Sequence, residues 1–301
     1  MIVSMIVLMI VFLCAVQVAL VLGAVQWMDR APWRQVASWV TLLAALLLPF
    51  NLPAGPLPRA LMGALALLAV VKVLRVRQHP SRWSPRLRLW HALAPFDVER
   101  THRVPPALDR ALLAWTVIHA VIALGALVAL STFPRTLSFP LQLLRLLLGG
   151  AVVYAGMEAL TEALRLLHRL AGIDVPALQD RPLLSTSIRE FWGRRWNRPV
   201  SGWLAEFVFA PVTARSGTTE GLVATFVASG ILHAWVFVAA VGWIAAMLAG
   251  LFFLFQGVFV LMESMVGIRR ASLPLQRLWT LGLLALTSPL FVDPVLRVFG
   301  L

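Results

Sequence analysis

The sequence predicts an all-α integral membrane protein, and two observations lead to this fold class. The mean hydropathy of the 301 residues is +0.86, and only 13% of them are charged. A chain with so few polar residues cannot cover itself with a polar surface, so its outside must face lipid. The apolar residues also occur in runs close to the roughly 20 residues that a helix needs to cross a ~30 Å hydrocarbon layer.

About eight such runs are present, and each is predicted to be a transmembrane helix. They lie at 1–25, 36–51, 59–74, 107–131, 138–166, 219–243, 246–268 and 276–299. The first run has no basic start and is too long for the apolar part of a signal peptide, so we interpret it as a helix. The second and third runs are short, and the Pro-rich linker NLPAGPLP between them favours a tight helical hairpin.

The net charge of +13 is distributed along the chain in a way that predicts the orientation. If the N-terminus is outside, every Lys and Arg except Arg59, Arg135, Arg145 and Arg297 belongs to the inside loops and their flanks. This bias predicts that both termini face outward and that the basic loops face the cytoplasm, in the inner membrane if the source is a bacterium. Membrane lipids therefore account for the charge, and nucleic acid is not predicted as a partner. The single cysteine, Cys14, excludes a disulfide within the chain.

We predict one multi-pass domain, 1–301, whose N-terminal helices, 1–135, carry a basic cytoplasmic loop at 72–106. Tryptophans and a phenylalanine are interspersed with the arginines of this loop, a pattern typical of the headgroup region of an anionic leaflet. The alternative is that some of these arginines bind a phosphorylated or acyl-carrier substrate.

The segment SIREFWGRRWN, from Ser187 to Asn197, is unusually polar and aromatic for this chain. One of the hydroxyl side chains at 185–187 is expected to cap a helix that begins near Ile188. On that helix, residues four apart share a face, which pairs Phe191 with Arg195 and Trp192 with Trp196. The following run, WLAEFVFAPV, is too short to span a bilayer and predicts a re-entrant or interfacial helix, with the polar segment at the cytoplasmic mouth of the bundle.

A second polar intrusion lies in the apolar run TFVASGILHAWVF, which contains His233 with Ser229 one turn before it. A histidine within a span usually faces the bundle interior or a water-filled cavity. Its imidazole exchanges a proton near neutral pH, which activation of a hydroxyl group requires. The structural alternative is a packing histidine bonded to Ser229 or to a backbone carbonyl.

Together these two motifs resemble a known family. FWGRRWN, followed by SGxxH in an apolar helix, resembles the wax synthase branch of the membrane-bound O-acyltransferases, and the closing SPLFVDPVLRVFG is similar to the end of those chains. The similarity covers roughly 175–301, and the N-terminal half shares only hydropathy with the family. The resemblance implies a bundle of the membrane-bound O-acyltransferase type, with the acyltransferase region at 175–301.

The resemblance implies an enzyme that moves a fatty acyl group from an acyl thioester, such as acyl-CoA, to the hydroxyl of a long-chain alcohol or another lipid acceptor. It also implies that Asn197 and His233 are the functional pair. Many relatives carry Glu directly after this histidine, whereas Ala234 follows it here. The histidine of this chain therefore has no carboxylate next to it in the sequence.

The chemistry of acyl transfer independently favours this pair. An alcohol attacks a thioester slowly until a base accepts its proton, and a positioned imidazole accelerates such a step by about 10²- to 10⁴-fold. The amide of Asn197 is suited to hold the carbonyl or the developing oxyanion. Neither role needs a metal or a redox cofactor, and no cofactor is predicted. The alternative for Asn197 is that it caps or ends the short helix before Pro199.

Six further residues are candidates for substrate binding: Arg189, Arg194, Arg195, Trp192, Trp196 and Ser229. For the arginines, binding of the donor's phosphates and positive-inside anchoring are both open. The tryptophans are either interfacial anchors or contacts for the acyl chain or the pantetheine arm.

The remaining polar residues of the apolar runs have no motif around them. His119 is interpreted as structural, and Glu158, Glu162 and Arg165 predict an ion pair within one helix. Gln256 and Glu263 are seven residues apart and share a helix face. Glu263 needs a partner or a proton, and it would orient His233 if the two helices pack together.

The alternative function is a proton-coupled transporter or lipid flippase, because buried His and Glu residues also line proton pathways. No internal repeat of the kind found in such folds is visible in the sequence.

Overall fold

The computed structural model describes residues 2–28, 31–78, 80–133 and 138–301, and of residues 2–10 and 80 it describes the backbone alone. Helices occupy all of the runs that were predicted to cross the membrane. In chain order the helices are α1 (Ile2–Gln26), α2 (Pro32–Leu47), α3 (Pro56–Gln78), α4 (Pro85–Leu93), α5 (Arg110–Ser131), α6 (Phe139–Leu170), α7 (Ile188–Glu190), α8 (Arg198–Leu204), α9 (Ala210–Ser216), α10 (Thr218–Val241), α11 (Trp243–Val266), α12 (Leu273–Thr287) and α13 (Pro289–Val298).

Shorter elements connect these helices. Turns of 3₁₀ helix lie at Leu48–Asn51, Pro80–Arg82, Val98–Arg100, Pro182–Leu184 and Ile268–Arg270, and turns of π helix lie at Phe191–Arg195 and Ala205–Phe209. Two short strands, β1 (His102–Arg103) and β2 (Ile173–Asp174), pair antiparallel.

The predicted fold class is confirmed: the protein is an all-α integral membrane protein. Within the described residues, six helices are individually long and apolar enough to cross a membrane, and the bent pair α12–α13 makes a seventh if it forms one span. The span predicted at 276–299 consists of two helices, α12 and α13, with a bend of 51° between them. The predicted first span lies partly outside the described side chains, and its described part, Val11–Gln26, is a shorter apolar helix.

The chain divides into two compact units. The first comprises Met1–Val98 with Ala234–Ala246, and in it α2 and α3 pack against α1 and against each other, as expected for a hairpin. The buried side-chain amide of Gln17 on α1 donates to the carbonyls of Ala45 and Met62, at 3.1 and 3.2 Å. The amide nitrogen of Gln17 thus joins three helices of this apolar unit.

The basic loop predicted at 72–106 is folded and begins later than expected, because α3 continues to Gln78. Lys72 is buried and donates to the carbonyl of Phe96 at 3.0 Å, and Arg75 pairs with Asp97 at 3.3 Å. Lys72 and Arg75, two of the basic residues assigned to the loop, therefore lie on α3 and hold the loop against it.

The second unit comprises Glu99–His233 with Met247–Leu301, and it contains all predicted site residues. In it α5 and α6 pack together, and α13 packs against α6. Arg145 on α6 pairs with Asp293 on α13 at 3.1 Å, and Arg297 pairs with the other oxygen of Asp293 at 2.7 Å. These ion pairs fix α13, which carries Phe291, a neighbour of the His233 ring in the site described next.

Candidate active site

The segment SIREFWGRRWN forms one capped helical turn that widens into a π turn. The hydroxyl of Ser187 accepts a hydrogen bond from the backbone N–H of Glu190 at 3.0 Å, which confirms the predicted cap. The N–H of Trp196 then donates to the carbonyl of Phe191, five residues earlier, at 2.8 Å. Because a π turn holds more residues than an α turn, residues five apart face each other.

This geometry adds a side-chain pairing to those that the sequence predicted. The ring of Phe191 stacks on Trp196 with centroids 5.6 Å apart, whereas Arg195 contacts Glu190. Trp192 and Trp196 do contact each other, edge to face, at 6.4 Å. The π turn thus gathers three aromatic rings on one side of the segment.

Glu263 of α11 anchors the start of this segment. Its carboxylate accepts hydrogen bonds from the backbone N–H groups of Ile188 and Arg189, the latter at 3.2 Å. The first N–H groups of a helix have no partner within it, and a carboxylate satisfies them well. The hypothesis that Glu263 orients His233 is therefore wrong, since its two oxygens hold the backbone of the polar segment.

Gln256, one heptad before Glu263, fixes the indole of the same segment. The Nε1–H of Trp192 donates to Gln256 Oε1 at 3.1 Å, and Gln256 Nε2 donates to the hydroxyl of Thr287 at 2.8 Å. Gln256 is fully buried. The seven-residue spacing did predict a shared face for Gln256 and Glu263, but no pattern in the sequence indicates that this face binds residues 188–192.

His233 lies on α10 with its ring packed between aromatic side chains. Its Nδ1 is 2.8 Å from the carbonyl oxygen of Ser229. A carbonyl only accepts, so Nδ1 carries a proton and the lone pair of the neutral ring is on Nε2. The ring stacks on Phe253 at 4.1 Å and meets Phe291 of α13 edge to face at 5.8 Å.

A close approach of α10 and α11 makes the stacking of His233 possible. A Cβ added at Gly230 would lie 3.2 Å from the carbonyl oxygen of Gly250, and one at Gly257 would lie 3.0 Å from the Cβ of Phe226. Small residues let two helices in lipid pack backbone to backbone. Gly230, the glycine of the SGxxH motif, therefore allows the close approach that places Phe253 against His233.

Asn197 begins α8 with a left-handed backbone, at φ 42° and ψ 58°. Asparagine tolerates this conformation better than most residues with a side chain. Its backbone N–H donates to Gln179 Oε1 at 3.0 Å, whereas its side chain makes no capping hydrogen bond to α8. The residue thus has a conformational role, and its amide group makes no hydrogen bond with the described residues.

One cavity of about 190 Å³ brings Asn197 and His233 together. Of the substrate-binding candidates, Arg189, Trp192, Trp196 and Ser229 also line it. The rest of the wall is mostly apolar and consists of Gly193, Val200, Ser201, Leu204, Ala205, Phe209, Leu222, Thr225, Phe226, Phe253 and Val260. Such a lining suits an aliphatic chain with a polar reacting group at one end.

Arg194 and Arg195 are not among the residues that line this cavity. Arg195 Nε contacts Glu190 Oε1 at 2.7 Å, and its Nη1 donates to the carbonyl of Asp180 at 3.0 Å. Burial alone would raise the pKa of Glu190, but hydrogen bonds from Thr186 and the Arg195 guanidinium outweigh it and lower that pKa. Arg195 therefore clamps the segment to the preceding loop, and its predicted contact with substrate phosphates stays a prediction.

A second histidine, His119, lies in a different polar cluster of the same unit. Its Nδ1 is 2.9 Å from a carboxylate oxygen of Glu162 on α6, which corrects the predicted pairing of Glu162 with Arg165. Arg165 instead donates to the carbonyl of Val175 at 3.1 Å. His119, Glu162 and Arg165 line a separate cavity of about 630 Å³, together with Trp115, Tyr154, Glu158, Thr161, Ala177, Leu178, Gln179, Asp180, Arg181, Leu183 and Leu184.

The fold and the site define a multi-pass membrane protein whose intramembrane histidine shares an apolar cavity with an asparagine from a polar segment. Residues 175–255, which contain both residues, match the model of the Membrane bound O-acyl transferase family. The resemblance found in the two sequence motifs is thereby confirmed for this part of the chain.

The chain is also similar to individual proteins whose names denote acyl transfer. The chain is 36% identical to "Probable long-chain-alcohol O-fatty-acyltransferase 7" of Arabidopsis thaliana over 37% of its own length and 35% of that protein. It is 31% identical to the Arabidopsis "Probable long-chain-alcohol O-fatty-acyltransferase 9" over 48% of its length and 47% of that protein. It is 23% identical to "Acyl-CoA--sterol O-acyltransferase 1", also of Arabidopsis, over 40% and 37% of the two chains. The matches thus span less than half the length of these relatives.

Proposed function

We propose that the protein is a membrane-bound O-acyltransferase that moves a fatty acyl group from an acyl thioester to the hydroxyl of a long-chain alcohol or another lipid acceptor. The observation that carries this proposal is the shared cavity, in which the Nε2 lone pair of His233 and the free amide of Asn197 accompany apolar walls. The names of the relatives, which denote acyl transfer to long-chain alcohols and to a sterol, support the same reaction class.

His233 is proposed as the general base. Nε2 accepts the proton of the acceptor hydroxyl while the oxygen attacks the carbonyl carbon of the thioester. The resulting imidazolium returns the proton to the thiolate when the carbon–sulfur bond breaks, so the ester and the free thiol leave and the ring is neutral again. The bond from Nδ1 to the carbonyl of Ser229 holds the ring in the tautomer that this cycle needs.

Asn197 is proposed to donate from its amide to the carbonyl oxygen of the thioester. Negative charge develops on this oxygen during attack, and a fixed donor in a site that excludes water stabilises it. The single cysteine, Cys14, contacts Met62 and is not among the residues that line the cavity of His233. We therefore favour direct transfer between donor and acceptor over a cysteine-linked acyl-enzyme, and the proposed reaction uses acyl-CoA as a substrate and no metal or redox cofactor.

The donor is proposed to enter from the cytoplasm and the acceptor from the bilayer. The positive charge of the inside loops favours this topology, in the inner membrane if the source is a bacterium. The phosphates of a CoA donor stay at the water interface, whereas a long-chain alcohol is already dissolved in lipid. The transporter alternative has no support among the relatives, whose names denote acyl transfer.

The test is to incubate the purified protein in detergent with radiolabelled acyl-CoA and a panel of long-chain alcohols and sterols, and to separate the products. We expect labelled ester with at least one long-chain alcohol. Release of CoA without ester would indicate a hydrolase. Absence of turnover with every donor, together with proton-driven flux in liposomes, would contradict the proposal in favour of a transporter.

A further inference from the structure

A cavity of about 720 Å³ adjoins the candidate active site through a shared residue, Arg189, which lines both. It is formed around the C-terminal end of α11 and the turn that follows. Its other lining residues are Glu263, Ser264, Met265, Val266, Gly267, Arg269 and Arg270. No residue of this cavity except Arg189 is a substrate-binding candidate from the sequence, and Arg269 and Arg270 have no predicted role in binding.

The turn that carries Arg269 and Arg270 is held in place by its backbone. Gly267 ends α11 with a left-handed conformation, at φ 68°, which a residue with a Cβ adopts poorly. The N–H of Arg270 donates back to the carbonyl of Gly267 at 2.9 Å, and the side chain of Ile268 is buried. Ile268 thus anchors the turn, and the two exposed arginines that follow it line the cavity.

The charge of this cavity is positive. It contains three guanidinium groups and one carboxylate, Glu263, whose two oxygens already accept the N–H groups of Ile188 and Arg189. Within the described parts of the chain, Arg269 and Arg270 form no salt bridge to a carboxylate. Several guanidinium groups around one space are suited to phosphate oxygens, which they bind through paired N–H donors.

The two cavities also differ in volume. A volume of about 190 Å³ is below the ~300–1,000 Å³ of pockets that enclose a ligand of moderate size, whereas 720 Å³ is within that range. The cavity of His233 suits the reacting groups and part of a chain, and the phosphate-bearing part of a CoA thioester needs another location. The cavity of Arg269 offers both volume and charge, and Arg189 connects it to the reaction site.

We propose that the cavity of Arg189, Arg269 and Arg270 binds the phosphate esters of the acyl donor, with the thioester arm passing Arg189 toward His233 and Asn197. The proposal rests on the proposed function and assigns the donor-binding role to two arginines outside the SIREFWGRRWN segment. Phosphate esters are also present in phospholipid headgroups, so the experiment has to separate these two sources.

The experiment compares an acyl-CoA with the N-acetylcysteamine thioester of the same fatty acid, which keeps the reacting end and has no phosphate. Arg269→Gln and Arg270→Gln are expected to raise the KM for acyl-CoA by about tenfold each, with kcat and the KM for the truncated thioester unchanged. Arg215→Gln is the matched control, because Arg215 is exposed in the same unit and lines neither cavity. An equal rise for both donors, or no rise for acyl-CoA, would overturn the proposal.

Two further measurements keep the result decisive. Assays in nanodiscs with and without anionic phospholipid should give the same ratio of variant to wild-type KM, and a defect seen only with anionic lipid would assign the cavity to headgroups instead. If wild-type protein makes no ester from either donor, the proposed function fails. Binding of radiolabelled CoA then tests the phosphate-binding role of the cavity independently of activity. Weaker CoA binding by the two variants than by Arg215→Gln would still support the cavity, and equal binding would refute it.

Discussion

Two histidines of the second unit lie in apolar helices, and their surroundings differ. Nδ1 of His233 is bonded to the carbonyl of Ser229 on its own helix, at 2.8 Å, whereas Nδ1 of His119 is bonded to the carboxylate of Glu162 on another helix, at 2.9 Å. In hydrolase triads a carboxylate partner fixes the orientation and the tautomer of the catalytic imidazole. By its partner alone, His119 would therefore be the more obvious candidate for a base.

The walls of the two cavities lead to the opposite assignment. Carboxylates outnumber guanidinium groups on the wall of the His119 cavity, and the carboxylates of Glu158 and Glu162 would repel a developing oxyanion. The charged lining residues are Glu158, Glu162, Asp180, Arg165 and Arg181. The cavity of His233 contains apolar walls and the free amide of Asn197, which suit an acyl chain and its carbonyl oxygen. The groups around the reacting carbonyl, more than the partner of the ring, therefore support the proposal that His233 is the catalytic histidine.

The largest effect is expected from the histidines themselves. His233→Ala should lower ester formation by about 10²- to 10⁴-fold, because no other base in this cavity can accept the hydroxyl proton. His119→Ala should leave the rate within about tenfold, since its ring is proposed to serve the packing of α5 on α6. Initial rates at saturating donor measure both, with CoA binding as the control for folded protein. The reverse order of the two losses would exchange the roles of the histidines.

The next effect tests the amide that distinguishes the two cavities. Asn197→Gly keeps the left-handed backbone and removes the amide, so kcat should fall by about 10²-fold or more with little change in thermal stability. Asn197→Ala should lose the same activity and in addition about 1 kcal/mol of stability, because its Cβ is strained at this φ. Steady-state kinetics and thermal denaturation in detergent separate the two contributions. A fully active glycine variant would show that only the backbone conformation matters.

A smaller effect is expected at Glu162, the partner that distinguishes His119. Glu162→Gln should destabilise the protein by about 1–3 kcal/mol, because the 2.9 Å contact to His119 weakens and both side chains are mostly buried, at 13% and 14% exposure. The apparent melting temperature in detergent should fall, while the rate per folded molecule stays nearly constant. A double-mutant cycle with His119→Gln should show that most of this loss of free energy is the interaction energy between the two side chains. A loss of rate without a loss of stability would instead mark a catalytic His–Glu pair.

The smallest effect concerns Glu190, the carboxylate of the polar segment itself. Its pKa is lowered, since the contacts with Thr186 and Arg195 outweigh the burial that raises it. Such a group stabilises the fold above its unfolded pKa of about 4.3, and this contribution disappears as the pH falls through the lower folded pKa. With a partly exposed pair the contribution should stay below about 1 kcal/mol. Melting temperatures between pH 7 and pH 3 should therefore fall less steeply for Glu190→Gln than for wild type, and equal slopes would contradict the assignment.

The sequence by itself determined the fold class, the helical runs and several local features. Hydropathy predicts spans because lipid excludes unsatisfied backbone, which leaves an apolar helix as the available structure. The Ser187 cap and the shared face of Gln256 and Glu263 depend on contacts or periodicity within a few turns, and both are present. The two motifs also indicate the family whose model matches residues 175–255.

The tertiary structure alone decided the partners of the polar residues. Glu263 bonds to Ile188 across 75 residues of sequence, and His119 bonds to Glu162 across 43, and no local pattern encodes such distances. The π turn at Phe191–Arg195 changed which side chains face each other, because one extra residue in a turn rotates all that follow. The membership of Arg189, Arg269 and Arg270 in one cavity likewise depends on the docking of α7 against the end of α11. Helix formation is a local property of the chain, whereas the contents of a cavity depend on which helices pack together.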